Sequence, residues 1–243
     1  MWAVFRKELA GFFSTLTGYV AGLVFLVLTG LLLWVLPGEG NILDTGQAAV
    51  TALFQSAPWV FLFLVPAITM RLFAEERREG TLEWLLCKPL RASALVAGKY
   101  LAALVLIGLM LLPTLVYVLS VYLLGAPRGS IDMGATWGSY LGLFMLAACY
   151  ASLGLFASTL TRNAVVAFVL AALLSLLLYQ GFASISALPL FKGHEFLVAS
   201  AGMEEHYLSI RRGVLDSRDL LYFISVMVIA LTAATVVLRR KRS

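Results

Sequence analysis

Residues 70–91 read MRLFAEERREGTLEWLLCKPLR, a strongly charged stretch between two long apolar runs. We call this stretch the polar segment. Charged side chains are costly in hydrocarbon, so a segment of this kind between membrane-grade helices is expected to lie in water. It is either a hydrophilic connector or an element that docks on a soluble protein. We predict docking.

The composition around the polar segment is that of an integral membrane protein. Of the 243 residues, 61% are hydrophobic and only 13% are charged, whereas soluble domains are about a quarter charged. A helix needs about 20 apolar residues to cross a bilayer. The chain is therefore predicted to be all-α, a single domain over 1–243 with six transmembrane helices. Their predicted ranges are 17–36, 51–70, 93–124, 134–160, 164–188 and 219–238.

The segments between these spans are also predictable. Residues 1–16 carry apolar side chains at helical spacing, which indicates a helix lying in the membrane surface. The third span is too long for the bilayer core, so its first turns, with Lys99, are expected to project into water. Pro58 and Pro66 predict kinks or local breaks in the second span. Residues 189–218 are predicted to form a long polar loop.

The distribution of basic residues predicts the orientation, because Lys and Arg concentrate on the cytoplasmic side. With the N-terminus inside, the inner side holds Arg6, Lys7, Arg71, Arg77, Arg78, Lys88, Arg91, Lys99, Arg162, Arg239, Arg240, Lys241 and Arg242. The outer side holds Arg128, Lys192, Arg211, Arg212 and Arg218. Both termini and the polar segment are therefore predicted to be cytoplasmic. The net charge of +5 is assigned to topology rather than to nucleic-acid binding.

Two absences bear on the source of energy. We expect no charge within the membrane-embedded parts of the six spans, which disfavours a carrier driven by an ion gradient. The sequence also lacks the G-x-x-x-x-G-K-[ST] phosphate loop, so the chain is not expected to hydrolyse ATP itself by that route. If the chain performs transport work, another subunit is expected to supply the energy.

Within the polar segment the pattern predicts two short helices separated by Gly80. Charged residues before Gly80 recur at steps of three and four, while Thr81 is a candidate cap for the second helix. That second helix would carry an apolar stripe of Leu82, Leu85 and Leu86, which suits a groove on a soluble partner. The alternative, that the stripe lies back on the membrane or on the chain's own bundle, stays open on this pattern alone.

The same residues carry a family resemblance. Residues 73–86, FAEERREGTLEWLL, with Pro89 and the later run 98–101, GKYL, resemble the E-E-x-x-x-G-T-L-E-x-L-L…P…G-K pattern of ABC-2 type permeases. The opening Arg6-Lys7-Glu8-Leu9 and the turn Leu160-Thr161-Arg162-Asn163 are similar to the same family. The outer run 206–219 is most similar to the gliding-motility-associated ABC permease subunit. The resemblance covers essentially the whole chain.

This resemblance implies a non-catalytic permease subunit of an ATP-driven export complex in the inner membrane of a bacterium. It implies an N-terminal interfacial helix and a coupling helix between spans two and three, which docks on a separate ABC ATPase that binds ATP and magnesium. It also implies short re-entrant helices after the fifth span, which help to form an outer gate. No cofactor is expected in this chain. The implied partners are the ATPase, a second permease that is identical or different, and an auxiliary membrane subunit with a large external domain. Carried over by position, the ATPase contact would comprise Glu75, Glu76, Arg77, Glu79, Gly80, Thr81, Leu82 and Leu85, with Arg162 in a second contact.

The cargo is not identified by the sequence, and one alternative function stays open. In that alternative the subunit passes the motion of the ATPase to an outer partner and transports no solute. An ion-coupled carrier is a weaker alternative. Glycines at positions 18 and 22, and at 134, 138 and 142, allow close helix contact, either within the subunit or at a dimer seam. The acidic and histidine residues of 194–206 match no metal-site spacing, so no metal is expected.

Overall fold

The computed structural model describes residues 1–38, 40–46, 50–82, 91–125, 129, 131–189, 193–213 and 215–240. In these residues the fold is all-α, without strands, as the sequence predicts. The first half contains α1 (Trp2–Ser14), α2 (Leu16–Trp34), α3 (Ile42–Thr45), α4 (Thr51–Thr69), α5 (Arg71–Arg78), α6 (Ala92–Leu111) and α7 (Leu115–Leu124). The second half contains α8 (Met133–Leu160), α9 (Ala164–Leu176), α10 (Phe182–Ser186), α11 (Glu195–Ala199), α12 (Met203–Arg211) and α13 (Ser217–Arg240).

Five of the described helical segments are long and apolar enough to cross a membrane, and the number is six if a bent pair of helices counts as one span. The pair consists of α1 and α2, which meet at a 65° bend. The chain is therefore a multi-pass membrane protein. The buried share of the most apolar window is 78% in α8 but 17% in α13, so α8 is the central helix and α13 is peripheral.

Prolines affect the spans unequally. Helix α4 continues as an α-helix through both Pro58 and Pro66, so the expected local break does not occur in it. The third span does change at Pro113, where a 3₁₀ turn over Leu112–Thr114 joins α6 to α7. Proline removes one backbone donor from the helical ladder, and the tighter turn accommodates this loss. Helix α6 begins at Ala92, and no side chain caps its N-terminus.

The glycines of α2 and α8 pack against other helices of the same chain. A Cβ at Gly142 would lie 2.9 Å from Ile210 Cγ2, and a Cβ at Gly138 would lie 3.3 Å from the Ile210 carbonyl oxygen. In α2, a Cβ at Gly22 would meet Met110 at 3.9 Å. Of the two alternatives, the structure therefore shows packing within the subunit at these positions.

The segment after the fifth span is more ordered than the predicted polar loop. It contains α11 and α12, and α12 buries Met203, Tyr207 and Ile210 completely. The Tyr207 hydroxyl donates a hydrogen bond of 2.6 Å to the carbonyl oxygen of Phe54 in α4. The polar loop read from composition is wrong for α12, because every third or fourth residue of this helix is apolar and faces the bundle. Short helices in this segment are what the family resemblance implies, and α11 and α12 are such helices.

Candidate coupling site at the inner end of the bundle

Helix α1 lies directly against the start of α6. A Cβ at Gly98 would lie 3.0 Å from the Met1 carbonyl oxygen and 3.1 Å from Val4 Cβ. Only a residue without a side chain allows the two backbones to approach this closely. The N-terminal helix is therefore held against the third span, and its charged residues face the same region as the polar segment.

Four charged residues from three helices meet at this contact, and we call them the charge cluster. Lys99 of α6 lies 2.8 Å from Glu8 Oε1 and 2.9 Å from Glu76 Oε1. Lys7 lies 3.2 Å from the same oxygen of Glu76 and 3.8 Å from Glu8. The Lys99 side chain is 1% exposed, whereas that of Lys7 is 62% exposed. Lys99 is thus the buried centre of the charge cluster.

The burial of Lys99 contradicts the expectation that it projects into water. Its ammonium group lies 5.1 Å from the centroid of the Phe73 ring, a distance at which the ring face attracts a cation. A buried charge is tolerated when it is paired and hydrogen-bonded. The two carboxylates meet this requirement, so Lys99 links α1, α5 and α6 instead of extending the third span into solvent.

Helix α5 makes a second connection through the residue that follows Glu76. Nη1 of Arg77 donates to the carbonyl oxygen of Thr159 at 2.5 Å and lies 3.4 Å from that of Thr161. The last carbonyls of a helix have no partner within the helix, and a cation is favourable there. Arg77 therefore joins α5 to the C-terminal end of the central helix α8, which we call the inner end after the orientation that the basic residues predict.

The solvent-facing part of the site is short. The side chain of Glu75 is 41% exposed, and Glu79, Gly80 and Thr81 are exposed. Gly80 has φ of +72°, a left-handed conformation that favours glycine. The Thr81 hydroxyl donates to the Glu76 carbonyl oxygen at 3.3 Å. The backbone amides that it is predicted to cap belong to residues 83 and 84, which lie outside the described residues.

The predicted contact residues that the structure describes fall into three classes of exposure. Glu79, Gly80, Thr81 and Arg162 are exposed, and Glu75 and Arg77 are half-buried. Glu76 and Leu82 are buried, and Leu82 packs in the apolar core. Leu85 lies outside the described residues.

Sequence reasoning missed Glu8, Lys7 and Lys99 as members of the site. A signal was present for Lys99, because it lies four residues after Leu95 and four before Ala103, both of which are buried. A lysine on an apolar helix face requires an acidic partner. The partners themselves come from distant parts of the chain, which local spacing does not reveal.

A cavity of ≈ 270 Å³ adjoins the charge cluster. Its polar lining combines Lys7, Glu8, Arg71, Glu75, Glu76, Glu79 and Lys99. Both cationic and anionic side chains line the cavity. Two of its carboxylates, those of Glu75 and Glu79, lie at the solvent-facing C-terminal end of α5. The arrangement suits a mechanical contact between polar surfaces; we assign no chemistry to it.

At the end of the bundle opposite the charge cluster, His206 makes two short contacts. Nδ1 lies 2.7 Å from Asp219 Oδ1, and Nε2 lies 2.9 Å from the Ser200 carbonyl oxygen. The His206 ring also stacks on Tyr222 at 4.1 Å. Among the described residues, no group of three or more His, Cys, Asp or Glu side chains is arranged to hold a metal ion. His206 instead joins α12 to the start of α13.

Comparison with known proteins bears on the middle part of the chain. The family model described as ABC-2 family transporter protein matches residues 40–199, which is about two thirds of the chain. No curated protein matches the sequence significantly. The matched region includes the polar segment, α6 and the central helix.

Proposed function

The chain belongs to the ABC-2 transporter family and is a permease subunit of an ABC transporter, and from this premise we propose that its inner end receives the motion of a separate ATPase. ATP and magnesium would be bound by that partner. The exposed edge formed by Glu79, Gly80 and Thr81, with Arg162 beside it, would make the contact. The export of a substrate would follow from the resulting movement of the spans.

The observation that carries this proposal is the position of Lys99 between Glu8 and Glu76. A force on α5 reaches α1 and α6 through this charge cluster, and it reaches α8 through the hydrogen bonds of Arg77. Buried, paired charges resist separation because an unpaired partner would remain in a poorly solvated site. We therefore assign Glu76 and Arg77 to transmission within the subunit, and the exposed residues to the ATPase contact.

The finer assignments rest on the sequence. The excess of basic residues in the inner segments supports cytoplasmic termini. We propose that the subunit is of the gliding-motility-associated type and lies in a bacterial inner membrane. It would pair with a second permease, identical or different, and work with an auxiliary subunit that has a large external domain.

Co-purification tests the ATPase contact. We expect the tagged full-length chain, co-expressed with its ATPase, to retain that ATPase on purification in mild detergent. The substitution Glu79→Arg should reduce the retained ATPase at least tenfold, because it reverses a charge at the exposed edge without entering the charge cluster. The matched control is Glu195→Arg, the same change at an exposed position of α11 at the other end of the bundle.

Equal retention by the two variants would contradict the assignment of the contact. Failure of the parent chain to retain an ATPase would contradict the proposed function itself. Thermal unfolding of each variant distinguishes a lost contact from a lost fold, since both substitutions are at exposed positions and should leave the melting temperature unchanged.

One structural feature favours the alternative of motion transmitted to an outer partner. The central helix is held at its inner end by Arg77 and, near its outer end, its Gly138 and Gly142 pack on Ile210 of α12. Motion of α8 would therefore displace α12 as well. Flux of a substrate in vesicles that contain only the permease and its ATPase would refute this alternative.

A further inference from the structure

The fifth span contains a π-helical turn over Leu177–Gly181. Turns of this type are rare and occur frequently at functional sites. The start of α12 lies directly on this turn, since a Cβ at Gly202 would lie 3.0 Å from Phe182 Cβ and 3.6 Å from the Leu178 carbonyl oxygen. The turn, α12 and the central helix therefore converge in one region.

Two polar atoms in this region have no hydrogen-bond partner among the described residues. They are the hydroxyl of Tyr150 in α8 and Oε2 of Glu204 in the first turn of α12. The Tyr150 side chain is completely buried. Its ring lies edge-on to Tyr179 of the π-turn, with the ring centroids 6.3 Å apart. Glu204 interacts electrostatically with both tyrosines.

The Tyr150 hydroxyl is the more informative of the two atoms. It stands at the end of a rigid ring and cannot turn back to a carbonyl of its own helix. The hydroxyl of Ser175, also buried and without a partner, differs in this respect, because serine reaches the carbonyl four residues earlier by rotation. A buried hydroxyl left unpaired costs about 1–3 kcal/mol, so the position of Tyr150 requires an explanation.

Glu204 adds a charge to the same region. Burial, followed by the negative charge of Glu205, raises the pKa of Glu204 above its ordinary value. The ionised carboxylate is thus poorly stabilised by its surroundings. Arg211 also interacts with Tyr179, but within the described residues no salt bridge joins Arg211 to Glu204. A hydrogen-bond donor placed between Tyr150 and Glu204 would satisfy both groups.

We propose that Tyr150, Tyr179 and Glu204 form a binding site inside the bundle for a small hydrogen-bond donor, which is a water molecule or an ammonium-sized cation. Both species donate to a carboxylate and to a phenol oxygen. Tyr179 and Trp59, which lies edge-on to it at 5.7 Å, form the aromatic wall. The site joins the central helix α8, the fifth span and α12. Binding at this site requires no contact with an ATPase.

The direction in which Tyr150→Phe changes the melting temperature tests the site. In the full-length chain in detergent, Tyr150→Phe should lower the melting temperature by about 2–4 °C, the shift expected for one lost hydrogen bond in a chain of this size. Tyr117→Phe calibrates the loss, because the Tyr117 hydroxyl donates to the Leu26 carbonyl oxygen at 3.0 Å. If Tyr150→Phe leaves the melting temperature unchanged or raises it, the hydroxyl is unpaired and the proposal is overturned.

The same measurement in two different salts distinguishes a bound water molecule from a bound cation. Melting temperatures are compared in ammonium chloride and choline chloride at equal ionic strength, because the quaternary ammonium group of choline has no N–H to donate. A higher melting temperature in ammonium chloride that disappears in Glu204→Gln identifies the cation. Equal melting temperatures in the two salts, together with the loss in Tyr150→Phe, identify water.

Discussion

The substitution Lys99→Met measures how strongly the charge cluster holds the inner end together. It keeps the length of the side chain but removes the ammonium group that lies 2.8 and 2.9 Å from two carboxylates. Two unit charges about 6 Å apart repel each other by roughly 3 kcal/mol at an effective dielectric constant of 20. Removing one partner of a buried ion pair typically costs about 3–5 kcal/mol. We expect Lys99→Met to lower the free energy of unfolding by about 3–5 kcal/mol, or the melting temperature by roughly 10 °C.

The assay is thermal unfolding of the purified full-length chain, with Lys7→Met as the matched control. Lys7 belongs to the same cluster but is 62% exposed, so its loss should cost about 1 kcal/mol or less. The triple variant Glu8→Gln, Glu76→Gln, Lys99→Met should recover most of the stability, because no buried charge is then left unpaired and Lys7, which loses both partners, is 62% exposed. A loss in Lys99→Met no larger than that in Lys7→Met, or a triple variant no more stable than Lys99→Met, would refute this reasoning.

Three further predictions concern the connections of the site. Arg77→Met should accelerate hydrogen exchange in α5 and at the inner end of α8, because the hydrogen bonds to Thr159 and Thr161 are lost; Arg78→Met, at an exposed position with its only described ion pair at 3.9 Å, should not. Gly154→Ala should destabilise the chain by about 1–3 kcal/mol in thermal unfolding, because the new methyl group would overlap the Thr69 hydroxyl. The double variant Gly154→Ala, Thr69→Ala should recover part of this loss, and persistence of the full loss would place its cause elsewhere. Gly80→Ala should cost about 1 kcal/mol through its left-handed backbone, whereas Gly11→Ala, in a helix with no atom within 4 Å of the new Cβ, should be neutral or stabilising.

Hydropathy predicts the spans well because a membrane helix must be apolar along its whole length. The observed helices Thr51–Thr69 and Met133–Leu160 differ by one residue at an end from the predicted 51–70 and 134–160. Helix α12 escaped this reasoning because its exposed face carries Glu205 and Arg211. Its buried residues Met203, Tyr207 and Ile210 follow a helical period that could have revealed it.

The candidate site was predictable only in part. Helix α5 ends two residues before Gly80, and the positive φ of Gly80 explains why glycine stands there. The predicted second helix lies mostly outside the described residues. The inward direction of Glu76 was not predictable from spacing. Its partner Lys99 belongs to another helix, and the length of that helix predicts that Lys99 lies in water. The pairing of Lys99 with Glu8 joins residues 91 positions apart, and local patterns carry no information at that separation.

The chain order of the charge cluster has a consequence for biogenesis. Glu8 and Glu76 are both synthesised before Lys99, so the lysine emerges from the ribosome when its two partners already exist. A nascent chain that ends after the third span therefore holds every member of the charge cluster, before the central helix has been made. The ion pairs that join α1, α5 and α6 can thus form early. Helix α8 would then insert against helices that are already in contact.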